Sequence, residues 1–135
     1  MDNIKFTTSP KEALNKIINW ATVYPSIEIC GFLGFDHSNK KYVIQLEENC
    51  SNDPRHFFTI NALNYLLFKN KYAILSIFHT HVIGDEQPSE FDIKMSENCC
   101  VPFLVYGLNS KKFQIYEPKN SEYDVKTLER IKAKL

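Results

Sequence analysis

A run of apolar residues that ends in two histidines constrains the fold of this chain more than any other segment. The residues from Tyr72 to Phe78 are almost all apolar, β-branched or aromatic, which predicts a largely buried β-strand ending at the histidines. His79 and His81 follow at positions i and i+2. Their side chains therefore leave the same face of an extended chain, with roots roughly 7 Å apart, and can converge on one ion. Thr80 points to the opposite face.

A third metal ligand is expected from the segment that follows. Pro88 to Asp92 has the pattern of a helix start, with Ser89 at the N-cap position and acidic residues in the first turn. Such a helix returns Asp92 towards the strand end after a short loop. Two neutral imidazoles and one carboxylate suit Zn²⁺, and three protein ligands leave the fourth tetrahedral position to water. The pattern therefore predicts one catalytic zinc ion held by His79, His81 and Asp92.

Two further residues have the chemistry that an amide hydrolase needs beside such an ion. Zinc lowers the pKa of bound water to roughly 7, and a nearby base typically adds about 10²–10⁴-fold. Glu28 is our candidate for this base. The Ser89 hydroxyl is the candidate donor to the oxyanion of a tetrahedral intermediate, where loss of one donor costs about 10²–10³ in turnover. Together these residues predict amide hydrolysis by metal-activated water.

Three separated segments carry a family resemblance: Glu28-Ile29-Cys30-Gly31, His79-Thr80-His81 and Ser89-Glu90-Phe91-Asp92. In this order and spacing they resemble the motif of the JAMM (MPN+, JAB) metalloproteases, which reads E, a variable gap, H-[ST]-H, seven residues and S-x-x-D. The resemblance extends over residues 10–118. It implies the same three zinc ligands, with Glu28 as general base and Ser89 as oxyanion stabiliser.

One position departs from the family pattern, because Val82 stands directly after the second histidine, where the family usually has proline. Proline would fix the exit of the loop, so its loss weakens the case for a rigid loop but leaves every predicted ligand in place. Segments 48–54 and 57–61 look like small prokaryotic members, especially JAB domains of phage and prophage tail-assembly proteins. Only nine residues separate Asp92 from Pro102. The long insertions of eukaryotic deubiquitinating members are therefore absent, and dedicated ubiquitin-chain selectivity is not expected.

Each motif also has a simpler explanation. A Ser-x-x-Asp sequence is typical of a helix capping box, and an isolated H-x-H at a strand end is more often incidental than a ligand pair. Cupins and amidohydrolases also use H-x-H, but they need further ligands, and only His37 and His56 remain. We interpret His37 as a solvated hairpin residue and His56 as a surface-loop residue, with contact to a substrate as the alternative for His56. The H-x-H and S-x-x-D segments at family spacing are better explained together, as parts of one metal site.

Composition limits the other function classes. The 16 basic and 16 acidic residues balance, which gives no general attraction to nucleic acid or to an anionic membrane. The four cysteines show no C-x-x-C pattern, so we expect buried thiols rather than a second metal site. We see no secretory leader and no apolar run of about 20 residues. The expected location is therefore cytoplasmic, or virion-associated if the protein derives from a phage.

The hydrophobic pattern predicts a single α+β domain over residues 1–135. Helices are expected at 10–24, at 62–70, after Ser89 and from about 121 onwards, and strands at about 29–35, 41–47, 57–60, 72–78, 102–108 and 112–116. We expect a mixed, mostly antiparallel sheet with helices packed around it, the layered fold that the JAB and MPN resemblance implies and that cytidine deaminases share. The last helix carries an apolar stripe, which core packing explains better than partner docking; its residues are Val125, Leu128, Ile131 and Leu135.

We therefore predict a zinc-dependent metallopeptidase that hydrolyses a peptide or isopeptide bond. Its partner is a protein or peptide substrate, with a ubiquitin-like tail and a cell-wall or tail peptide as candidates, and neither nucleic acid nor a membrane is expected. The main alternative is a non-catalytic or weakly catalytic assembly subunit, for example in phage tail assembly. A zinc hydrolase of a small amide or nucleoside is a second alternative, but the Pro-Cys-x-x-Cys ligand pair of the deaminases is missing.

Overall fold

A computed structural model describes residues 3–120 and 122–135. Its elements in chain order are β1 (Ile4–Thr7), α1 (Pro10–Val23), β2 (Cys30–Asp36), β3 (Lys41–Glu47), α2 (Ala62–Lys71), β4 (Ala73–His81), α3 (Glu90–Cys99), β5 (Phe103–Gly107), β6 (Lys112–Tyr116) and α4 (Val125–Lys132). The strands form one sheet in the order β1-β3-β2-β4-β5-β6. Among these strands β4 and β5 run parallel, and the other neighbours are antiparallel. The predicted mixed, mostly antiparallel sheet flanked by helices is confirmed.

Helices cover both faces of this sheet. α1 and α4 lie on one face, where Ile17, Trp20 and Leu128 belong to one buried cluster. α2 and α3 lie on the other face, where Phe68 is buried and Met95 packs against a second cluster. Since both faces of the central strands are covered, β2 and β4 are buried along nearly their whole length. This explains why their sequences read as continuous apolar runs rather than as alternating ones.

The helix starts follow their capping residues. Ser9 accepts a hydrogen bond from the backbone N–H of Glu12 and caps α1, and Asn61 caps α2 as predicted. The last helix begins later than expected, because Asp124 accepts from the backbone N–H of Thr127 and serves as its cap. The predicted start near residue 121 was therefore too early, and residue 121 itself lies outside the described residues.

Two strand assignments differ from the prediction. β1 was not predicted, because it is a four-residue edge strand whose apolar side chains remain largely exposed. The predicted strand at 57–60 is wrong, since this segment is an irregular loop. Its backbone bonds to a side chain instead of to a sheet, with the N–H of Thr59 donating to Asn49 Oδ1. Phe58 is nevertheless buried, which explains why the loop carries an apolar residue here and why the segment resembled a strand.

The last helix packs on the core with only part of its apolar stripe. Leu128 and Ile131 are fully buried, whereas Val125 and Leu135 are 42% and 44% exposed. The middle of the stripe is therefore explained by core packing, as expected. Throughout the described residues, no helix combines the length and the apolar character that crossing a membrane requires.

β4 brings the histidines to the end of the sheet between β2 and β5. Ile77 belongs to the cluster beneath α2 and α3, and Phe78 to the cluster beneath α1 and α4. Because successive side chains of a strand alternate, His79 and His81 share the face of Ile77, whereas Thr80 shares that of Phe78. The two histidines therefore point together towards the α3 side, and Thr80 points away from them, as predicted.

Candidate metal centre

Two histidines and one aspartate converge at the C-terminal end of β4. His79 Nε2 lies 3.3 Å from His81 Nε2 and 3.2 Å from Asp92 Oδ2, and His81 Nε2 lies 3.0 Å from the same oxygen. In a tetrahedral zinc site with bonds of about 2.0–2.1 Å, neighbouring ligand atoms are about 3.3–3.4 Å apart. The three atoms thus form a triangle of nearly that size. Within residues 3–120 and 122–135 these side chains are the one group arranged to hold a metal ion.

The two histidines differ in the proton affinity of their rings. His81 Nδ1 lies 2.8 Å from the Asp85 carbonyl oxygen; a carbonyl only accepts, so Nδ1 carries the proton and Nε2 is left for a ligand. Burial lowers the pKa of the His79 imidazole, although Asp92 opposes this change. Burial also lowers the pKa of His81, but the hydrogen bonds to Asp92 and Asp85 outweigh it and leave that pKa raised. A metal ion must therefore displace one proton from His81 when it binds.

Asp92 is held as an ionised carboxylate. Its burial raises the pKa of this group, but hydrogen bonds from His79 and His81 outweigh burial and bring the pKa well below its usual value. The backbone N–H of Ser89 also donates to Asp92 Oδ2, at 2.9 Å. A negative oxygen that faces two imidazole nitrogens is a suitable third donor for Zn²⁺. The donor set present therefore fits the predicted ion in both chemistry and size.

The Ser-x-x-Asp segment forms a complete capping box at the start of α3. Ser89 Oγ accepts from the backbone N–H of Asp92 at 3.0 Å, and the Asp92 carboxylate accepts from the Ser89 N–H in return. The capping explanation of this motif is confirmed, and it is also what aims the carboxylate at the histidines. Accepting a bond occupies a lone pair and leaves the Ser89 O–H available as a donor. The cap therefore leaves room for the predicted oxyanion role.

Glu28 reaches the same site from the loop before β2. This loop has no regular secondary structure, and the Glu28 side chain within it is buried. Its backbone N–H donates to the Pro54 carbonyl at 2.7 Å, and its carbonyl accepts from the Asn49 amide at 2.8 Å. The next residue, Ile29, donates its N–H to Thr80 Oγ1 at 2.9 Å. These bonds hold the backbone around Glu28 between the 49–57 loop and the residue that separates the two histidines.

The environment of Glu28 shifts its proton affinity into the neutral range. Burial raises the pKa of the carboxyl from 4.5 to about 8; His81 lowers it in part, and the charges of Asp92 and Asp53 raise it further. A general base works best when its pKa lies near the operating pH. The Glu28 carboxyl therefore lies beside the predicted ligands with a pKa raised towards neutrality, and its role as general base stays a prediction.

Glu28, His81, Ser89 and Asp92 line one cavity of about 210 Å³, which we call the metal-centre cavity. Its lining is partly charged and partly aromatic, and consists of Glu28, Arg55, His56, Phe57, Phe58, His81, Ile83, Ser89, Phe91 and Asp92. The sequence motifs do not point to Arg55 or to these aromatic residues as part of the site. Arg55, Phe57 and Phe58 reach the cavity because Asn49 Nδ2 also donates to the Phe57 carbonyl. No short-range sequence pattern predicts this hydrogen bond between Asn49 and Phe57.

The two remaining histidines lie where simple surface positions were expected. His56 is exposed and its ring bonds to Asp53 at 3.0 Å, although it also lines the metal-centre cavity. His37 is exposed in the β2–β3 hairpin and bonds to Asp124 at 3.0 Å. Neither ring belongs to the His79, His81 and Asp92 group.

The loop after His81 is anchored without the family proline. His81 Nδ1 donates to the Asp85 carbonyl at 2.8 Å, and Asn109 Nδ2 donates to the Val82 carbonyl at 3.3 Å. Gly84 adopts a φ of +83°, which a side chain would disfavour. Two hydrogen bonds thus anchor the loop, and Gly84 permits its turn, next to the position where the family usually has proline.

The cysteines differ in part from the expectation of buried thiols. Cys30 is buried and lies opposite His79 in the β2–β4 register. Cys50 is exposed, and Cys99 and Cys100 are half-buried, because they lie in a loop and at the end of α3. Burial raises the pKa of the Cys30 thiol, which keeps it protonated and unsuited to metal binding.

The raised pKa of Glu28 predicts a pH-dependent stability difference in the metal-free protein. The folded-state pKa of about 8 lies above the ordinary value of 4.5, so stability from this group is complete below about pH 4.5 and is lost as the pH rises through 8. The glutamine in Glu28→Gln does not titrate. The melting temperature of this variant minus that of the wild type should therefore increase from pH 5 to pH 9. Each 1 kcal/mol shifts the melting temperature by roughly 2–8 °C in domains of this size range.

This comparison is made by differential scanning calorimetry after chelator treatment. The two proteins differ at one titratable side chain, so the change in their difference with pH reports the ionisation of Glu28 together with its coupling to His81 and Asp92. Glu48→Gln, at an exposed position, is the matched control and should track the wild type at every pH. A difference between Glu28→Gln and wild type that stays constant from pH 5 to pH 9 would contradict the raised pKa.

Comparison with known proteins identifies the family of this chain. Residues 10–120 match the family of prokaryotic homologs of the JAB domain, a range that includes all five predicted site residues. A similar solved structure is the solution structure of protein DSY2949 from Desulfitobacterium hafniense, which is 18% identical, has a TM-score of 0.56, and is matched over 87% of this chain and 93% of that chain. At this identity the likeness shows the fold alone. A search of curated proteins found no match. Because the family match spans most of the chain, the protein belongs to the prokaryotic JAB-domain family.

Proposed function

We propose that this protein is a zinc-dependent metallopeptidase that hydrolyses a peptide or isopeptide bond in a protein or peptide substrate. The observation that carries the proposal is the triangle of His79 Nε2, His81 Nε2 and Asp92 Oδ2, with sides of 3.0–3.3 Å. Glu28 and Ser89 line the cavity beside it. A structural zinc site closes the coordination shell with four protein ligands, whereas a catalytic site keeps one position open. Three donors beside a cavity support the catalytic type.

Each residue then has a definite task. Zinc, when bound by His79, His81 and Asp92, supplies a Lewis acid that makes water a nucleophile near neutral pH. Glu28 accepts the proton that the water loses during attack on the carbonyl carbon, and passes it to the leaving nitrogen as the C–N bond breaks. In the metal-free protein burial raises the pKa of this carboxyl, and the positive charge of a bound ion would lower it again towards the ionised form that accepts a proton. The Ser89 O–H donates to the oxygen that becomes negative in the tetrahedral intermediate.

The proposed location is the cytoplasm. All four cysteines are free, and Cys50 is exposed without a disulfide partner. Exposed free thiols suit a reducing compartment rather than an oxidising one. This supports the location that the sequence predicts, with a virion-associated protein as the phage-derived variant of the proposal.

Metal-dependent cleavage is the direct test. Purified protein loaded with one equivalent of zinc is incubated with unmodified peptides, cell-wall peptides and isopeptide-linked Gly-Gly conjugates, and products are identified by mass spectrometry. We expect cleavage in at least one class, complete loss with 1,10-phenanthroline, and recovery on adding zinc back. The chelated protein should recover its activity without refolding, since the ion adds chemistry to a preformed site.

Two outcomes would contradict the proposal. Cleavage that continues in chelator, or in Asp92→Asn protein, would come from a contaminating enzyme or another mechanism. Stoichiometric zinc binding with no cleavage in any class would favour the assembly-subunit alternative instead.

A further inference from the structure

A second cavity, of about 220 Å³, lies beside the metal-centre cavity, and we call it the apolar cavity. It opens between the 58–62 segment, α2, α3 and the sheet. Phe58 and Phe91 line both cavities, so the two spaces share one aromatic wall. The rest of its lining is mostly apolar and includes Ile60, Ile77 and Met95. Nothing in the proposed chemistry of the metal centre uses this space.

We infer that the apolar cavity binds the bulky apolar side chain, of phenylalanine or leucine type, of a substrate residue next to the scissile bond. The inference rests on the proposed peptidase function and goes beyond it by naming the substrate class. An apolar protein cavity of about 150 Å³ holds a benzene molecule, so a space of 220 Å³ holds a benzyl or isobutyl group. Ligand sites of this kind are concave and mostly apolar, with few polar groups.

The shared wall is fixed to the metal centre itself. The ring of Phe58 stacks on the His79 ring, with centroids 4.3 Å apart and planes 26° from parallel. Phe58 also packs against Phe103 of β5, at 5.7 Å. A side chain that enters the apolar cavity against Phe58 is therefore held one ring's thickness from a predicted ligand. This distance suits a residue adjacent to the bond being cut.

Exposed aromatic surface lies beside the wall that the two cavities share. Phe91 lines both cavities and is 47% exposed. Its ring meets that of Phe57, which lines the metal-centre cavity and is 48% exposed, edge to face at 5.9 Å. Large exposed aromatic groups beside a cavity are typical of binding sites. Met95 lines the interior, and its unbranched thioether adapts to side chains of different shape. The cavity is thus built to accept apolar side chains as a class rather than one shape.

This arrangement discriminates among the candidate substrates. A glycine beside the scissile bond would leave the apolar cavity unfilled, whereas phenylalanine or leucine would bury its side chain there. Full burial of such a side chain is expected to raise kcat/KM about 10- to 100-fold over glycine. The structure therefore favours peptides with an apolar residue next to the cleaved bond over Gly-Gly tails.

Binding to the cavity can be measured without any turnover. The chain has two methionines, so labelling with [methyl-¹³C]methionine gives a simple NMR spectrum in which a Met95→Leu variant assigns the Met95 signal. N-acetyl-phenylalanine amide and N-acetyl-leucine amide should shift this signal saturably at millimolar concentrations, and N-acetyl-glycine amide should not. Equal shifts with all three probes, or none, would overturn the inference.

Two rim variants test whether the signal reports the cavity. Ala62 and Thr59 line the cavity and are exposed to solvent, so phenylalanine at either position can fill the space without disturbing the core. Ala62→Phe and Thr59→Phe should each abolish the saturable shift. Ala133→Phe adds the same ring at an exposed position after α4 and should retain it. Loss in the control as well would overturn the assignment to this cavity.

A cleavage assay separates this inference from the proposed function. Zinc-loaded protein is given a peptide pool that varies the residues flanking the cut, and Ala62→Phe should reduce the preference for phenylalanine over glycine at one flanking position by about 10-fold or more. Cleavage without that preference, or with a preference that Ala62→Phe leaves intact, would overturn the subsite while the peptidase stands. Probe binding without any cleavage would overturn the peptidase and leave the apolar binding site supported.

Discussion

Replacement of Asp92 by asparagine is expected to lower the zinc content from one ion per chain to less than about one tenth. The Oδ2 atom of Asp92 lies 3.2 Å and 3.0 Å from the two histidine Nε2 atoms, so it forms one corner of the triangle that we propose as the zinc site. An amide of the same shape keeps the packing but removes the negative charge. Losing an outer partner of a metal ligand already reduces affinity about 10- to 100-fold. Losing the ligand charge itself should reduce it further.

The measurement is elemental analysis after dialysis against limiting zinc, with the fold checked by circular dichroism. Asparagine retains a side-chain oxygen for the Ser89 N–H, so α3 should keep its cap. Asp36→Asn, at a half-buried position at the end of β2 and outside the metal-ligand group, is the matched control and should bind one ion. His79→Ala should lower zinc content in the same direction. An Asp92→Asn protein that still carries one chelatable zinc would place the ion elsewhere.

Glu28→Gln is expected to keep the zinc and to lose about 10²–10⁴-fold in turnover. Glutamine preserves the size of the side chain, and the backbone bonds to Pro54 and Asn49 do not depend on the carboxylate. It cannot accept the proton that the water loses. The loss should therefore appear in kcat, while zinc content stays at one ion per chain.

Turnover is measured on the substrate that the cleavage panel identifies, with zinc determined on the same preparation. Glu48→Gln, which changes an exposed glutamate, should match the wild type in both values. When metal-free, Glu28→Gln should also gain stability relative to the wild type as the pH rises towards 8, while its activity falls. Full activity in this variant would remove Glu28 from the role of base.

The parts of the site that were predicted correctly depend on local periodicity. The alternation of a strand places His79 and His81 on one face whatever lies around them. Ser89 caps a helix within three residues of Asp92, and a capping box fixes the direction of both side chains. These relations span a few residues, so they can be read from spacing.

The features that spacing alone could not show depend on contacts between distant segments. The position of Glu28 is set by bonds from Ile29 to Thr80, 51 residues away, and from Asn49, 21 residues away. The same Asn49 amide holds the irregular loop at 57–60, where an apolar pattern falsely indicated a strand. Loops of this kind carry no repeat, so their course follows from hydrogen bonds that only the folded chain can make.

By itself the sequence determined the layered α+β class, the pairing of two imidazoles with one carboxylate, and the family to which they belong, because periodicity and motif spacing are properties of the chain. Only the tertiary structure decided how close those three groups lie, how deeply Glu28 is buried, and that Phe58 and Phe91 separate the metal centre from an apolar space. Distance, burial and cavity shape depend on segments far apart in sequence packing against one another. Those quantities set the proton affinity of the base and the kind of side chain that fits beside it.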